Sequence, residues 1–204
     1  MRNTERRLPA AVAVLAALFT LPMPTATAAQ TAAQTDAPSE TRATLAWKRL
    51  DIAMQAQQKT NWCWAAGGNT IAAYFGRNYS QNQFCNAAFS RQQGSECPNS
   101  QATLGNVQTG LRWAGINSGS YVTGWLRYPT VQTEIDANRP VETRIQWSSG
   151  GGHMHVIYGY DDADSWVYWG DPWPSSDRYN WASHAWYVDN DSFSWTHSLY
   201  RIGA

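Results

Sequence analysis

One cysteine of the chain lies where a nucleophilic thiolate could be formed. It is Cys63, within the sequence QQKTNWCWAA at residues 57–66. Asn61 predicts a helix N-cap, so Cys63 would lie in the first turn of a helix that continues past Ile71 and ends at Gly76. Backbone N–H groups and the helix dipole at such a position favour a thiolate over a thiol. The pattern indicates covalent catalysis by sulfur, which also requires a base and donors for an oxyanion.

The base would come from a predicted β-hairpin. A glycine run leads into a strand that carries His153 and His155, and a second strand returns at residues 165–170. If residues 161–163 form a three-residue loop, His153 lies opposite Asp171. The Asp171 carboxylate could then accept the imidazole N–H and fix the tautomer of His153.

Alternatives to this arrangement stay open. A two-residue loop would place Pro172 opposite His153, and His155, which faces Trp169 in the first register, could be the base instead. The His-x-His pair could also bind a metal, but no third ligand of suitable spacing lies nearby. We therefore expect neither a metal nor another cofactor.

Donors for an oxyanion are available before the helix. Gln57 precedes Cys63 by six residues, and its side-chain amide could reach back to the start of the helix. Together with the backbone N–H of Cys63 it would form an oxyanion hole with two donors. Gln55 and Gln58 remain alternatives by residue type alone.

The elements that must position these groups form two regions. Besides the Cys63 helix, helices are predicted at residues 80–89, where Ser80 and Gln83 form a capping-box pattern, at 103–113 and at 131–138. Strands are predicted at residues 141–147, 156–160, 166–170, 185–188 and 198–202. Helices followed by strands indicate an α+β protein with a cleft between its two parts. We expect most of the 12 tryptophans to fill the core rather than to form a sugar-binding surface.

The beginning of the chain has the pattern of a secretory signal peptide. Arg2, Arg6 and Arg7 precede an apolar run at residues 10–21, and Ala-Thr-Ala at 26–28 fits a signal peptidase site. We therefore predict a signal peptide at residues 1–28 and a secreted, extracellular protein.

The remainder of the chain predicts one domain after a short leader. Residues 29–46 are rich in Ala, Thr, Gln, Pro and Ser, which favours a disordered linker or a short pro-segment. Residues 47–204 suffice for one domain with a real core. Removal of residues 1–28 takes away three Arg and one Glu and leaves a net charge of −2, so we expect no nucleic-acid or membrane partner.

Three cysteines in an oxidising compartment leave one unpaired. We pair Cys85 with Cys97, because they are close in sequence and separated by a flexible segment. Cys63 is then the free thiol. A buried structural Cys63 without chemistry remains an alternative.

Together these residues resemble the papain-like cysteine peptidases. The resemblance is carried by Gln57, by Cys63-Trp64-Ala65 and by His153, which lies six residues before Gly159. The form NWCWAA at residues 61–66 is especially similar to the bacterial branch that includes the avirulence-effector cysteine proteases. The resemblance extends over most of residues 47–174.

The resemblance implies a papain-like fold and a catalytic triad. In that fold a helical lobe that carries the nucleophile packs against a β-sheet or barrel lobe that carries the histidine, with the active-site cleft between them. Asp171, 18 residues after His153, matches the orienting residue. The chain departs from the family in its short length, in Ala66 where an aromatic residue is usual, and in the lack of a long inhibitory propeptide. Activation and substrate preference therefore stay open.

These observations predict a secreted cysteine endopeptidase. Cys63 would attack the scissile carbonyl, His153 would act as acid and base, Asp171 would orient it, and Gln57 with the Cys63 amide would hold the oxyanion. The substrate would be a protein or peptide, and we expect a monomer. A cell-wall amidase of related fold and a catalytically silent, Trp-rich binding module are the alternatives.

Overall fold

The computed structural model describes residues 46–204 of the 204-residue chain. The predicted signal peptide and all but the last residue of the predicted linker lie outside the described residues. Within residues 46–204, no helix combines the length and the apolarity that crossing a membrane would require.

Helices dominate the first half of the described chain. The second helix begins with a capping box in which Ser80 accepts from Gln83 N and the Gln83 side chain accepts from Ser80 N, as its sequence predicts. At the start of the third helix the Asn106 side chain likewise accepts from Thr103 N, while Asn106 N donates to the Thr103 backbone carbonyl. The helices are α1 (Cys63–Tyr74), α2 (Gln81–Ala88), α3 (Leu104–Trp113), α4 (Tyr128–Asp136) and α5 (His184–Val188).

One antiparallel sheet takes most of its strands from the second half of the described chain. Its strands are β1 (Trp47–Arg49), β2 (Ser120–Thr123), β3 (Val141–Trp147), β4 (Gly152–Asp161), β5 (Trp166–Gly170), β6 (Tyr179–Ser183) and β7 (Phe193–Tyr200). The order is β2-β7-β3-β4-β5-β6, and β1 pairs with the last residues of β4. The sheet is open, with β2 and β6 as its edges, and is not a closed barrel. The α+β class is confirmed, and α1 packs against β4 as well as against α2 and α3.

Some of the predicted elements are wrong. Residues 185–188 form the short helix α5 instead of a strand, because the Ser183 hydroxyl accepts from Trp186 N and caps a helical turn. Helix α4 begins three residues before its predicted start. Strands β1, β2 and β6 were not predicted, because each is short and pairs along only three to five residues.

The core between the helices depends on close approach at two glycines. A Cβ atom at Gly68 of α1 or Gly110 of α3 would come within 2.5 or 2.6 Å of the Phe84 ring. The Phe84 ring therefore packs tightly between α1 and α3, and this packing holds α1 against α3. The tryptophans are less buried than expected: Trp62, Trp64, Trp169 and Trp195 are buried, whereas Trp47, Trp113, Trp125, Trp173, Trp181 and Trp186 are exposed.

Candidate active site

The free thiol lies at the start of α1. Cys63 is the first residue of the helix, is partly exposed, and is the free cysteine of the described chain. The predicted cap is wrong, because Trp62 occupies the N-cap position without a side-chain cap bond. Asn61 instead donates two hydrogen bonds to Asn99, from its backbone N to the Asn99 side-chain oxygen at 2.9 Å and from its side-chain amide to the Asn99 backbone carbonyl at 2.9 Å. The uncapped first turn leaves its N–H groups free of helical partners beside the sulfur.

A disulfide-anchored loop holds the residues on both sides of Cys63. The predicted bridge between Cys85 and Cys97 is present, and it fastens the chain at residues 97–100 to α2. The carbonyl of Pro98 accepts from the Trp62 indole at 2.9 Å, and the carbonyl of Ser100 accepts from the Trp64 indole at 3.1 Å. Both indoles are almost fully buried, so this loop fixes the start of α1 from behind.

The structure brings His153 and Asp171 into contact. Nε2 of His153 lies 2.7 Å from Oδ1 of Asp171, and the same oxygen accepts from Trp173 N at 2.8 Å. Both side chains are largely buried. With Nε2 bound to Asp171, Nδ1 is the ring nitrogen left for the cleft.

The register that predicted this contact is wrong. Asp161 pairs with Trp166 and Val156 with Gly170, because the loop has four residues and a bulge lies between Ile157 and Gly159. Continuation of this ladder would place His155, not His153, opposite Asp171. His153 lies two residues before His155 on β4, so its ring reaches the Asp171 carboxylate diagonally across the strand pair. A long side chain can span that distance.

Electrostatics links the three predicted residues. Burial disfavours the charged form of His153, but hydrogen bonds with Asp171 and Cys63 outweigh it and raise its pKa to about 9. For Asp171, burial opposes ionisation, yet the hydrogen bond with His153, together with His155 nearby, holds its pKa well below the usual range. The structure thus favours an imidazolium at His153 between a carboxylate and the sulfur.

His155 occupies a different environment. It is 2 % exposed, and its Nδ1 lies 3.2 Å from the Tyr187 hydroxyl, which contacts Thr143 at 2.6 Å. Its Nε2 lies 3.7 Å from Oδ2 of Asp171, outside hydrogen-bond range. Burial lowers its pKa, so His155 is the neutral histidine of the pair. It does not line the cleft, whereas His153 does.

Gln57 is buried beside the cleft without lining it. Its amide nitrogen lies 2.9 Å from the Lys59 carbonyl and 2.8 Å from the Thr60 carbonyl, and its oxygen has no partner. Its backbone N–H donates to the carbonyl of Pro172, next to Asp171. Gln57 therefore connects the turn before α1 to the strand end that carries Asp171.

The cleft itself is a cavity of about 290 Å³ that contains the sulfur, the imidazole and the carboxylate. Trp64 also lines it, and most of the other wall residues belong to separate segments that sequence patterns did not identify. Trp147 stacks on the His153 ring at 5.9 Å, and Trp173 meets that ring edge-on at 6.2 Å. Further wall residues are Thr60, Asn61, Gln101, Ala102, Arg144, Gly152, Met154 and Ser176.

The two histidines and Asp171 could also be considered as metal ligands. Their ligand atoms lie within 4.8 Å of one another. However, two ligands of a tetrahedral zinc ion with bonds of about 2.0 Å are about 3.3 Å apart. The 2.7 Å separation of His153 and Asp171 is that of a direct hydrogen bond, so the arrangement does not fit a metal without rearrangement.

Comparisons with known proteins bear on the family and the fold. The family model described as "Papain-like cysteine protease AvrRpt2" matches residues 46–192. No curated protein gives a significant match.

Solved structures add a likeness of fold. The peptidase domain of Streptococcus ComA, described as a bi-functional ABC transporter in a quorum-sensing pathway, has a TM-score of 0.50 and 18% identity, covering 72% of this chain and 95% of that one. A double glycine motif protease from an AMS/PCAT transporter, solved with a leader peptide, has a TM-score of 0.48 and 17% identity over 75% and 93% of the two chains. Xylellain, a cysteine protease from Xylella fastidiosa, has a TM-score of 0.45 and 10% identity over 77% and 87%.

Proposed function

Because this chain belongs to the AvrRpt2 family of papain-like cysteine proteases, and is therefore a cysteine-type peptidase, we propose that it is a secreted endopeptidase that uses Cys63, His153 and Asp171 as a catalytic triad. The observation that carries the triad is the position of His153, which is hydrogen bonded to Asp171 on one side and interacts with Cys63 on the other, inside one cleft.

In the proposed reaction the thiolate of Cys63 attacks the carbonyl carbon of the scissile peptide bond. The carbonyl oxygen becomes an oxyanion, and the imidazolium of His153 gives its proton to the leaving nitrogen as the C–N bond breaks. Neutral His153 then takes a proton from water, whose oxygen attacks the thioester carbon. Loss of the sulfur regenerates the thiolate and releases the carboxylic acid.

Asp171 has a positioning role in this scheme. Its carboxylate holds Nε2 of His153 at 2.7 Å, so the ring presents its other nitrogen to the sulfur. The same contact favours the imidazolium that the first step consumes. His155 stays neutral on the far side of Asp171 and is not the proposed base.

The proposed oxyanion hole consists of the Cys63 backbone N–H and the Gln57 amide. The Gln57 amide nitrogen carries two hydrogens and lies close to two backbone carbonyls, those of Lys59 and Thr60. For Gln57 to donate to an oxyanion, one of these two hydrogens must be shared with its backbone carbonyl or released from it. Gln57→Ala should lower kcat by about 100-fold or more, whereas Gln57→Ala with kcat unchanged would remove this residue from the proposal.

Secretion is supported by the sequence at residues 1–28 and by the Cys85–Cys97 bridge, which suits an oxidising compartment. Expression of the full chain in a secreting host should yield extracellular protein whose first residue is Ala29. Protein retained inside the cell with residues 1–28 attached would contradict this.

The proposed activity can be tested with folded, reduced protein. An epoxysuccinyl thiol inhibitor should add to Cys63, and the wild type should cleave casein into peptides with new internal termini. Cys63→Ala should do neither, and Cys85 and Cys97 serve as internal controls for thiol labelling. Digestion of purified peptidoglycan, with casein left intact, would instead indicate a cell-wall amidase. An unlabelled Cys63 in folded protein would overturn the proposal.

A further inference from the structure

The wall of the cleft contains a cation, Arg144, for which residues 46–204 provide no acidic partner. Arg144 lies on β3 directly opposite Met154, the residue after His153, and lines the same cavity as Cys63. Within residues 46–204, no carboxylate oxygen lies within 4.0 Å of its guanidinium. Glu142 lies two residues earlier on the same strand, yet its side-chain oxygens make no hydrogen bond.

The guanidinium is nevertheless held in place. Its Nη1 donates to the Thr196 hydroxyl at 2.8 Å, and its Nη2 donates to the Gln146 side-chain oxygen at 2.9 Å. Gly152 provides the room, since a Cβ atom there would lie 2.6 Å from Nη2. Both acceptors are neutral, and an arginine has five N–H donors, so donors and the full positive charge remain available.

The other charged groups of the cleft are already engaged. Asp171 is bound to His153 and to Trp173 N, so it does not compete for Arg144. Trp147 and Met154 line the same cavity as the guanidinium and contribute apolar surface to it. A substrate carboxylate that bound here would meet the ordered guanidinium of Arg144 in a partly buried site. Charge-assisted hydrogen bonds are stronger in such a site than in bulk water.

We infer that the cleft selects substrates with a carboxylate near the scissile bond, and that Arg144 is the residue that binds it. The inference rests on the proposed peptidase function and names the substrate class of that site. The carboxylate belongs to an Asp or Glu side chain, because an endopeptidase cleaves away from the chain end, and recognition of the substrate C-terminus is the other outcome of the test. The cavity of about 290 Å³ has room for only a few side chains, so the carboxylate belongs within about two residues of the bond that is cleaved.

The test uses the wild-type protein and matched peptides. The casein site that is cleaved fastest defines an internally quenched parent peptide. Glu is then compared with Gln at each of three positions on both sides of the scissile bond, and a free C-terminus is compared with an amidated one at three chain lengths. The carboxylate form should raise kcat/KM by about tenfold or more in one of these comparisons. A side-chain effect identifies Asp or Glu recognition, and an effect of the terminus identifies recognition of the chain end.

A variant ties the preference to its residue. Arg144→Gln should reduce the ratio of kcat/KM between the carboxylate and amide peptides to about one. Arg127→Gln is the matched control, because Arg127 is exposed and does not line this cavity, and it should keep the wild-type ratio. High salt should lower the wild-type ratio, as expected for an ion pair at a partly exposed site.

Failure of this inference differs from failure of the proposed function. If Cys63 is labelled and casein is cleaved, but every carboxylate and amide peptide pair reacts equally with wild type, the Arg144 inference is overturned. If Arg144→Gln keeps the full preference, another residue binds the carboxylate and the assignment is likewise overturned. Loss of Cys63 labelling in the wild type would instead overturn the peptidase proposal.

Discussion

A buried glutamate beneath the Cys63 helix should make the stability of the fold depend on pH. Glu142 is 0% exposed, and neither of its side-chain oxygens has a hydrogen-bond partner. A Cβ atom at Gly67 of α1 would lie 2.7 Å from Oε1 of Glu142, so the carboxyl group is pressed against the helix backbone. Burial, followed by the nearby charge of Cys63, raises the pKa of Glu142 well above its usual value. Glu142→Gln replaces this ionisable group with a neutral one of similar size.

The magnitude follows from proton uptake on folding. Below a pH of about 4.5 both the folded and the unfolded protein carry the proton on Glu142. Above that pH the unfolded chain loses the proton and the folded chain keeps it until its raised pKa is reached. Within this window the free energy of unfolding falls by about 1.4 kcal/mol per pH unit. Each pH unit inside this window therefore lowers Tm by about 3 to 6 °C for a domain of this size.

The assay is urea unfolding between pH 5 and pH 7 on a Cys63→Ala background. That background prevents self-cleavage and removes the charge of Cys63, so that it tests burial alone. Glu142→Gln should abolish this part of the pH dependence, and the stability advantage of the variant should grow as the pH rises. Glu96→Gln is the matched control, because Glu96 is exposed and a hydrogen bond with Lys59 lowers its pKa instead.

Parallel pH profiles for the parent and Glu142→Gln would refute this reasoning. They would mean that Glu142 is ionised in the folded state, or that a partner satisfies it there. A flatter pH profile in the Glu96→Gln control than in the parent would likewise place the effect at the surface.

Three further predictions concern the base, the bridge and the core. The pH profile of kcat/KM should fall above about pH 9, because the imidazolium of His153 is lost there, with the limb located by progress curves on a quenched peptide. Cys85→Ser with Cys97→Ser should lower the free energy of unfolding by about 3 kcal/mol, measured in urea, since the bridge closes a short loop. Gly68→Ala should destabilise the fold by about 1–3 kcal/mol in the same assay, because its methyl group would meet Phe84, and Phe84→Leu should restore part of the loss.

Each of these three predictions has a control or a result that would contradict it. An alkaline limb near the unperturbed histidine pKa of about 6.5 would contradict the link between His153, Asp171 and Cys63. The bridge variant should also lower kcat/KM, because the bridge anchors the loop behind Trp62, and unchanged kinetics would remove that coupling. Gly105→Ala on α3 is the control for Gly68→Ala, since its nearest contact would be 3.3 Å away.

Local patterns predicted much of the fold. Ser80 and Gln83 form the predicted capping box, and β3 and β5 have the predicted bounds. These features depend on neighbours within a few residues, so the chain carries the information locally. The turn at Ser183 was missed, because a short aromatic segment favours a strand by propensity while its cap bond starts a helix.

The candidate site was predicted less directly. Cys63 and His153 were identified by their motifs, and both line the cleft. The contact between His153 and Asp171 is present. The strand register from which it was predicted is wrong, because the hairpin loop is longer than predicted and a bulge interrupts the pairing of β4 with β5. Loop length and bulges are set by packing of the whole sheet, so strand alternation alone could not supply them.

The chain by itself determined the free cysteine at a helix start, the helix-then-strand order, the short bridge and the family resemblance, because each is a matter of residue type and spacing. The tertiary structure decided which histidine meets the cleft, that Glu142 lies beneath Gly67 without a hydrogen-bond partner among residues 46–204, and that Arg144 faces the same cavity as Cys63 with no carboxylate of the described chain paired to it. Those properties depend on distances between segments that are far apart in sequence, and on the burial of charged groups away from solvent. A local sequence pattern encodes neither.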